Sequence, residues 1–130
     1  MKLPVFHLSL SVTDLDRSAA FYQRLLGAEL GRRTSAFVDV WLFGGQVTLY
    51  QREAVRPDPN DHLGATVDRP TFEAIAERAL ADPECDVIFA PRACHSGTPR
   101  EEIKLMVSDP DGHRVEVKSY PDPDGALARP

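Results

Sequence analysis

Cysteine is scarce in this chain: Cys85 and Cys94 are the two in 130 residues. They show neither a C-x-x-C spacing nor the density of a secreted disulfide scaffold, so both are expected as reduced thiols. No apolar run approaches the ~20 residues needed to cross a bilayer. The segment Met1–His7 lacks an apolar signal core followed by a small-residue cleavage site, so a soluble, cytoplasmic protein is expected. Basic clusters are missing too: 15 Lys and Arg stand against 20 Asp and Glu, a net charge of −5. Nothing in that distribution offers a footprint for nucleic acid or anionic lipid. Short metal-binding motifs such as H-E-x-x-H are also absent.

What remains is a globular composition, 42% hydrophobic and 27% charged, long enough to bury roughly two thirds of the surface that the unfolded chain exposes. The chain also repeats itself approximately. His7-Leu8-Ser9-Leu10-Ser11-Val12 is echoed by His62-Leu63-Gly64-Ala65-Thr66-Val67, and an amphipathic helical pattern follows each. Residues 6–12 alternate apolar and polar, the period of a half-buried strand. Thr13 or Asp14 can cap a helix running to about Leu26, with Gly27 as its stop. Strands are expected at 28–33 and 36–43, with Gly44-Gly45 turning into a third at 46–51. After the polar connector 56–61, the same order restarts. A strand spans 62–67, and a helix capped by Asp68 carries an apolar stripe of Phe72, Ile75, Ala76, Ala79 and Leu80 and stops at Pro83. Strands follow at 87–90, 103–108 and 114–119, the last two joined by the turn Asp109-Pro110-Asp111-Gly112. Residues 91–100 read as a loop and 121–130 as a flexible tail.

Each half is thus a βαβββ unit, and the expected fold is α+β, two such modules forming a curved mixed sheet around a central cavity. One domain is expected over 1–120, with repeat halves at about 4–53 and 60–120. Side-chain parity gathers the polar residues of four strands into sets: His7, Ser9 and Ser11; Gln46, Thr48 and Tyr50; His62, Gly64 and Thr66; Arg114, Glu116 and Lys118. Imidazole nitrogen and carboxylate oxygen suit first-row divalent metals, which makes His7, His62 and Glu116 candidate ligands. Each has a plainer reading, as a hydrogen-bonded strand-end histidine, a solvated turn residue beside Asp61, and an outward strand charge between Arg114 and Lys118. Their matched positions in the repeat favour the ligand reading.

The segments Phe6–Leu15, Ala20-Phe21-Tyr22 through Leu26-Gly27, His62, and Asp109-Pro110-Asp111-Gly112-His113-Arg114-Val115-Glu116 together resemble the vicinal oxygen chelate superfamily, which includes glyoxalase I, bleomycin-resistance proteins and extradiol dioxygenases. The likeness covers about residues 4–120. It implies metal ligands at His7, His62 and Glu116. Glyoxalase I has a fourth ligand, a glutamate, where this chain has Thr48. The remaining two histidines and one carboxylate resemble the extradiol dioxygenases, where Fe(II) keeps positions open for a chelating substrate and O₂. Gly44-Gly45-Gln46-Val47 and the loop before Lys104-Leu105-Met106 are similar to small single-module proteins classed as predicted extradiol dioxygenases.

The resemblance therefore implies an oxidoreductase, an Fe(II) or Mn(II) dioxygenase acting on a small catechol-like substrate. Tyr50 would be an acid or hydrogen-bond donor, and Gln46, Thr48, Trp41, His95 and Arg100 would contact substrate. The alternatives are a glyoxalase-like lyase or isomerase using Ni(II) or Zn(II), and a metal-free drug-binding protein that holds a flat ligand among Trp41, Phe37 and Tyr50. A homodimer is the implied assembly.

Overall fold

The computed structural model describes residues 4–130; the expectation placed on Met1–His7 falls partly outside them. The chain divides into two compact units, one running to Asp58 and including Asp109–Gly112, the other comprising Pro59–Ser108 and His113–Pro130.

In the first unit β1 (His7–Val12) is followed by α1 (Leu15–Leu26), β2 (Glu29–Arg33), β3 (Phe37–Leu42) and β4 (Gly45–Gln51). The sheet order is β1-β4-β3-β2, with β1 parallel to β4 and the other pairs antiparallel. Asp14 starts α1 by accepting from the Arg17 amide at 2.9 Å. Gly27 ends it at φ 74°, a left-handed turn that glycine takes without a Cβ clash. The face carrying Leu15, Ala19, Tyr22, Leu25 and Leu26 is buried, and α1 packs on β3 and β4. Val38, Val40, Val47 and Leu49 are buried on those strands.

The second unit repeats the plan with β5 (His62–Thr66), α2 (Arg69–Ala81), β6 (Asp86–Cys94), β7 (Glu102–Ser108) and β8 (Arg114–Ser119), in the order β5-β8-β7-β6. Asp68 caps α2 through the Thr71 amide. Phe72, Ile75, Ala76 and Ala79 are buried on the helix, Leu105, Val107, Val115 and Val117 on the strands. Each unit is the expected βαβββ module.

Four details differ from the sequence reading. The β3–β4 turn sits on Phe43-Gly44, not Gly44-Gly45: both residues take positive φ, 50° and 79°, and Gly45 already pairs with Leu42. A two-residue hairpin needs that backbone to follow the sheet twist, and here it imposes it on a phenylalanine. Strand β6 runs on to Cys94 through part of the expected loop. It is an edge strand whose register shifts on either side of Phe89, so Pro91 sits where a missing amide costs least. Leu80, expected on the apolar stripe of α2, is 58% exposed. The expected tail contains a single helical turn, α3 (Pro123–Leu127), with no buried side chain. Neither cysteine forms a disulfide, and no helix among the described residues is long and apolar enough to cross a membrane.

The Asp109–Gly112 turn supplies the first unit with carboxylates. Asp111 accepts from the Thr13 amide at 3.0 Å and the Thr13 hydroxyl at 2.6 Å. Asp109 accepts from the Tyr22 hydroxyl at 2.8 Å. Burial, reinforced by the Asp109 charge, pushes the Tyr22 phenol well above its ordinary range, so it stays a donor. Tyr22→Phe removes a buried bond to a charged acceptor, and a loss of about 1.5–3 kcal/mol is expected. Chemical denaturation checks it; an unchanged midpoint would show that water or another donor replaces the phenol.

Candidate metal and substrate site

The two parallel strand pairs, β1 with β4 and β5 with β8, carry the polar faces. In the second unit the register sets His62 against Arg114, Gly64 against Glu116 and Thr66 against Lys118. Because strand parity sends these side chains to the face opposite Val115 and Val117, the apolar core and the polar site are separated by one sheet thickness. His62, Gly64, Thr66, Glu116 and Lys118 line a cavity of about 310 Å³. A Cβ on Gly64 would overlap the backbone carbonyl of Glu116, so β5 comes too close to β8 there for any side chain. The floor between His62 and Thr66 stays open in front of the glutamate.

The first unit presents the related face. His7 lies against Gln46, Ser9 against Thr48 and Ser11 against Tyr50; on the other side of β4, Trp41 opposes Gln46, Asp39 opposes Thr48 and Phe37 opposes Tyr50. Asp39 organises this surface. Its carboxylate is buried, with 1% of the side chain exposed, and it accepts from Arg32 Nε at 2.6 Å, Thr48 Oγ1 at 2.7 Å and Gln46 Nε2 at 3.1 Å. Burial alone would raise its pKa. The donors from Arg32, Thr48 and Gln46 outweigh that and hold the carboxyl below its usual range.

Among the sequence-predicted residues, His62 and Glu116 share the second-unit cavity, while His7 is an exposed residue of the first unit. Among the described residues, no three His, Cys, Asp or Glu side chains gather closely enough to hold a metal ion. Thr48 and Gln46 are committed to Asp39. Tyr50 packs its ring 5.4 Å from Phe37 with the Arg52 guanidinium 5.2 Å above it. Trp41 is 41% exposed, its indole seated against Gly31, where a Cβ would come within 2.9 Å of Nε1. His95 takes φ 56° at the turn leaving β6, held by Thr98, and Arg100 follows in that exposed turn. Neither lines the His62–Glu116 cavity. Asp39 was missed from sequence, although a lone carboxylate inside the otherwise apolar run Phe37-Val38-Asp39-Val40-Trp41-Leu42 is a signal that a buried acceptor leaves. A larger cavity, about 470 Å³, opens beside Thr13, Asp16 and Arg33. Arg33 is paired there with Asp16 at 2.6 Å, and no imidazole lines it.

The family model described as Glyoxalase/Bleomycin resistance protein/Dioxygenase superfamily matches residues 5–117. The chain belongs to this superfamily. It is 31% identical over 121 residues to the glutathione transferase FosA of Serratia marcescens, covering 85% of this chain and 77% of FosA. Among solved structures, a glyoxalase/bleomycin resistance protein/dioxygenase from Alicyclobacillus acidocaldarius superposes with a TM-score of 0.82 at 26% identity, over 98% of this chain and 99% of that one. A mutant of the fosfomycin resistance protein FosX from Listeria monocytogenes, complexed with Mn(II) and a dihydroxypropylphosphonic acid, gives 0.77 at 18% identity over 99% and 100%. That last likeness is one of fold. Superfamily members are mostly enzymes that act on small molecules, and divalent metals are bound among them.

Two substitutions test the site's construction. Gly64→Ala is expected to destabilise the second unit by several kcal/mol or displace β5, because the obstacle is backbone rather than a movable side chain. Hydrogen exchange at β5 and β8 checks this, and unchanged protection would mean the strands have room. Asp39→Asn is expected to cost about 1–3 kcal/mol at neutral pH. Since the folded carboxyl is depressed, its contribution is complete above the unfolded value of about 3.9 and fades as pH falls through the lower folded value. Thermal unfolding from pH 7 to pH 2.5 should therefore show wild type and variant converging at acid pH. A gap independent of pH would show that the carboxylate's charge is not what matters.

Proposed function

We propose that the chain is a divalent-metal-dependent enzyme of extradiol-dioxygenase type, acting on a small catechol-like diol. His62, Glu116 and His7 serve as protein ligands, with Fe(II) or Mn(II) as the favoured metal. The observation that carries this reading is the pairing of an imidazole and a carboxylate on one open sheet face, with Gly64 keeping the space before them clear. The donor set fits such an ion, with borderline imidazole nitrogen and hard carboxylate oxygen. His7 is included from the residue pattern, as the counterpart of His62 in the repeat, and a homodimer is the assembly that the reading includes.

The fourth-strand position supports a three-ligand set. Thr48 offers no carboxylate, and its hydroxyl already donates to Asp39. Asp39 itself is buried and engaged by three donors, one of them cationic. An ion held by these three residues would supply a Lewis acid for a chelating substrate. The protein's own side chains supply orientation. Lys118 and Thr66, one step along the strands from Glu116 and Gly64, stand where they can hold the far end of a bound molecule. Tyr50, with its ring steadied by Phe37 and Arg52, is the proposed hydrogen-bond donor or acid. Trp41 offers an exposed aromatic face for a flat ring.

The 31% identity to a glutathione transferase favours one second reading, a metal-dependent transfer of a thiol to a small electrophile. Metal analysis of anaerobically purified protein, then oxygen uptake with a catechol panel and thiol consumption with glutathione, separates the two. Iron with oxygen uptake supports ring cleavage, whereas manganese with thiol loss and no uptake would replace it. His62→Ala is expected to lose retained metal on dialysis by at least about tenfold. It is also expected to remove the metal-dependent rise in Tm, worth about 2.7 kcal/mol at a hundred times Kd. Metal held equally by the variant would remove His62 from the ligand set.

A further inference from the structure

The open face of the second unit carries a feature that the metal reading uses only at Lys118. Arg92 on β6 is in register with Lys104 on β7, and Lys104 with Lys118 on β8. Register partners on antiparallel strands project to the same side with Cβ atoms about 5 Å apart, so three cations stand abreast across three strands. Like charges directly opposite one another destabilise a sheet. An arrangement of this kind calls for something that offsets it.

The protein offsets it only in part. Glu102, one row further along the same face, reaches Lys104 at 3.5 Å. That carboxylate is 8% exposed and shares itself with the Tyr120 hydroxyl. Burial would raise the Glu102 carboxyl, but Tyr120 and the charges of Lys104 and Lys118 hold it low. Among the described residues, Arg92 and Lys118 have no ion-pair partner of their own within 4 Å. Aromatic rings hold the row in place without neutralising it. The Arg92 guanidinium lies 4.0 Å over the Phe89 ring, Lys104 Nζ is 6.0 Å from the same ring, and Lys118 Nζ is 5.6 Å over Tyr120. Such contacts fix a cation's position and leave its outward side available.

The row is adjacent to the proposed ligands. Phe89, Met106, Glu116 and Gly64 form the neighbouring register row, and Thr66 ends the cationic one beside Lys118. Successive same-face rows are about 7 Å apart, close to the span from a ring hydroxyl oxygen to a carboxylate on the opposite side of the same aromatic ring. Lys118 itself lines the His62–Glu116 cavity. We propose that Arg92, Lys104 and Lys118 form a receptor for an anionic oxo group, a carboxylate or a phosphonate, at the end of the substrate remote from the metal-chelating oxygens. The fork of Arg92 and the two ammonium groups take a planar or tetrahedral oxyanion by charge-assisted hydrogen bonds. The neutral catechol-like diol then becomes an acidic one. These strand cations are distinct from His95 and Arg100, the substrate contacts that the sequence had offered.

This inference rests on the proposed metal reading for the position of the chelating end, and its test separates the two. Calorimetry under anaerobic conditions and constant ionic strength compares catechol, 3,4-dihydroxybenzoate, benzoate and phenylphosphonate on metal-loaded and metal-stripped protein. Wild type is expected to bind 3,4-dihydroxybenzoate about ten- to a hundredfold more tightly than catechol. That ratio is expected to fall towards one in the double variant Arg92→Gln, Lys104→Gln, and to return with Arg92→Lys, Lys104→Arg. Benzoate against phenylphosphonate on stripped protein tells carboxylate from phosphonate. A wild-type ratio near one overturns the receptor, with no variant needed, as does a preference that survives in the double variant. Equal catechol affinity with and without metal, alongside a persisting anion preference, would sink the metal reading and leave the cationic row standing.

Discussion

The parallel pairing of β5 with β8, with Gly64 set against Glu116, is the contact on which the second unit's polar face depends. A slip of one residue would reverse every side chain on β8, turning Val115 and Val117 to solvent and Glu116 towards α2. Burial of those valines, both fully enclosed, therefore holds the glutamate outward. The close approach at Gly64 adds a second constraint, since only a residue without a side chain lets the strands meet there. Packing energy on one face of the sheet fixes geometry on the other.

The same backbone plan serves different chemistry in the two units. Where the second unit sets Gly64 against Glu116, the first sets Ser9 against Thr48. In the first, a buried aspartate from the adjacent strand satisfies the threonine, the glutamine beside it and an arginine, so the middle of that polar face is tied by internal bonds. In the second, the equivalent surface keeps His62, Glu116 and three abreast cations only partly compensated. Internal hydrogen bonds rigidify a polar face, and charges left uncompensated raise the electrostatic potential at its surface. That contrast separates the two halves of the repeat more sharply than their sequences do.

Much of the fold was legible because alternation and capping are local. Asp14, Gly27 and Asp68 end or begin helices through bonds to residues three to five positions away, and the strand faces follow from a period of two. The extension of β6 past Pro91 was not legible, because an edge strand tolerates a proline that a central strand would reject, and edge position is a property of the sheet order. The shift of the hairpin turn onto Phe43 was hidden for a similar reason: the Leu42–Gly45 pairing imposes positive φ on a residue that would not choose it.

The sequence by itself determined which residue types share a face, and hence that His62 and Glu116, and separately His7, lie on polar strand surfaces. It could do so because parity needs no knowledge of neighbouring strands. Only the tertiary structure decided which faces meet in register: that Asp39 takes the Thr48 hydroxyl, that Gly64 clears the space before Glu116, and that Arg92, Lys104 and Lys118 line up across three strands. Those juxtapositions join residues from different strands, and cross-strand register is set by packing, turns and bulges together rather than by any single segment.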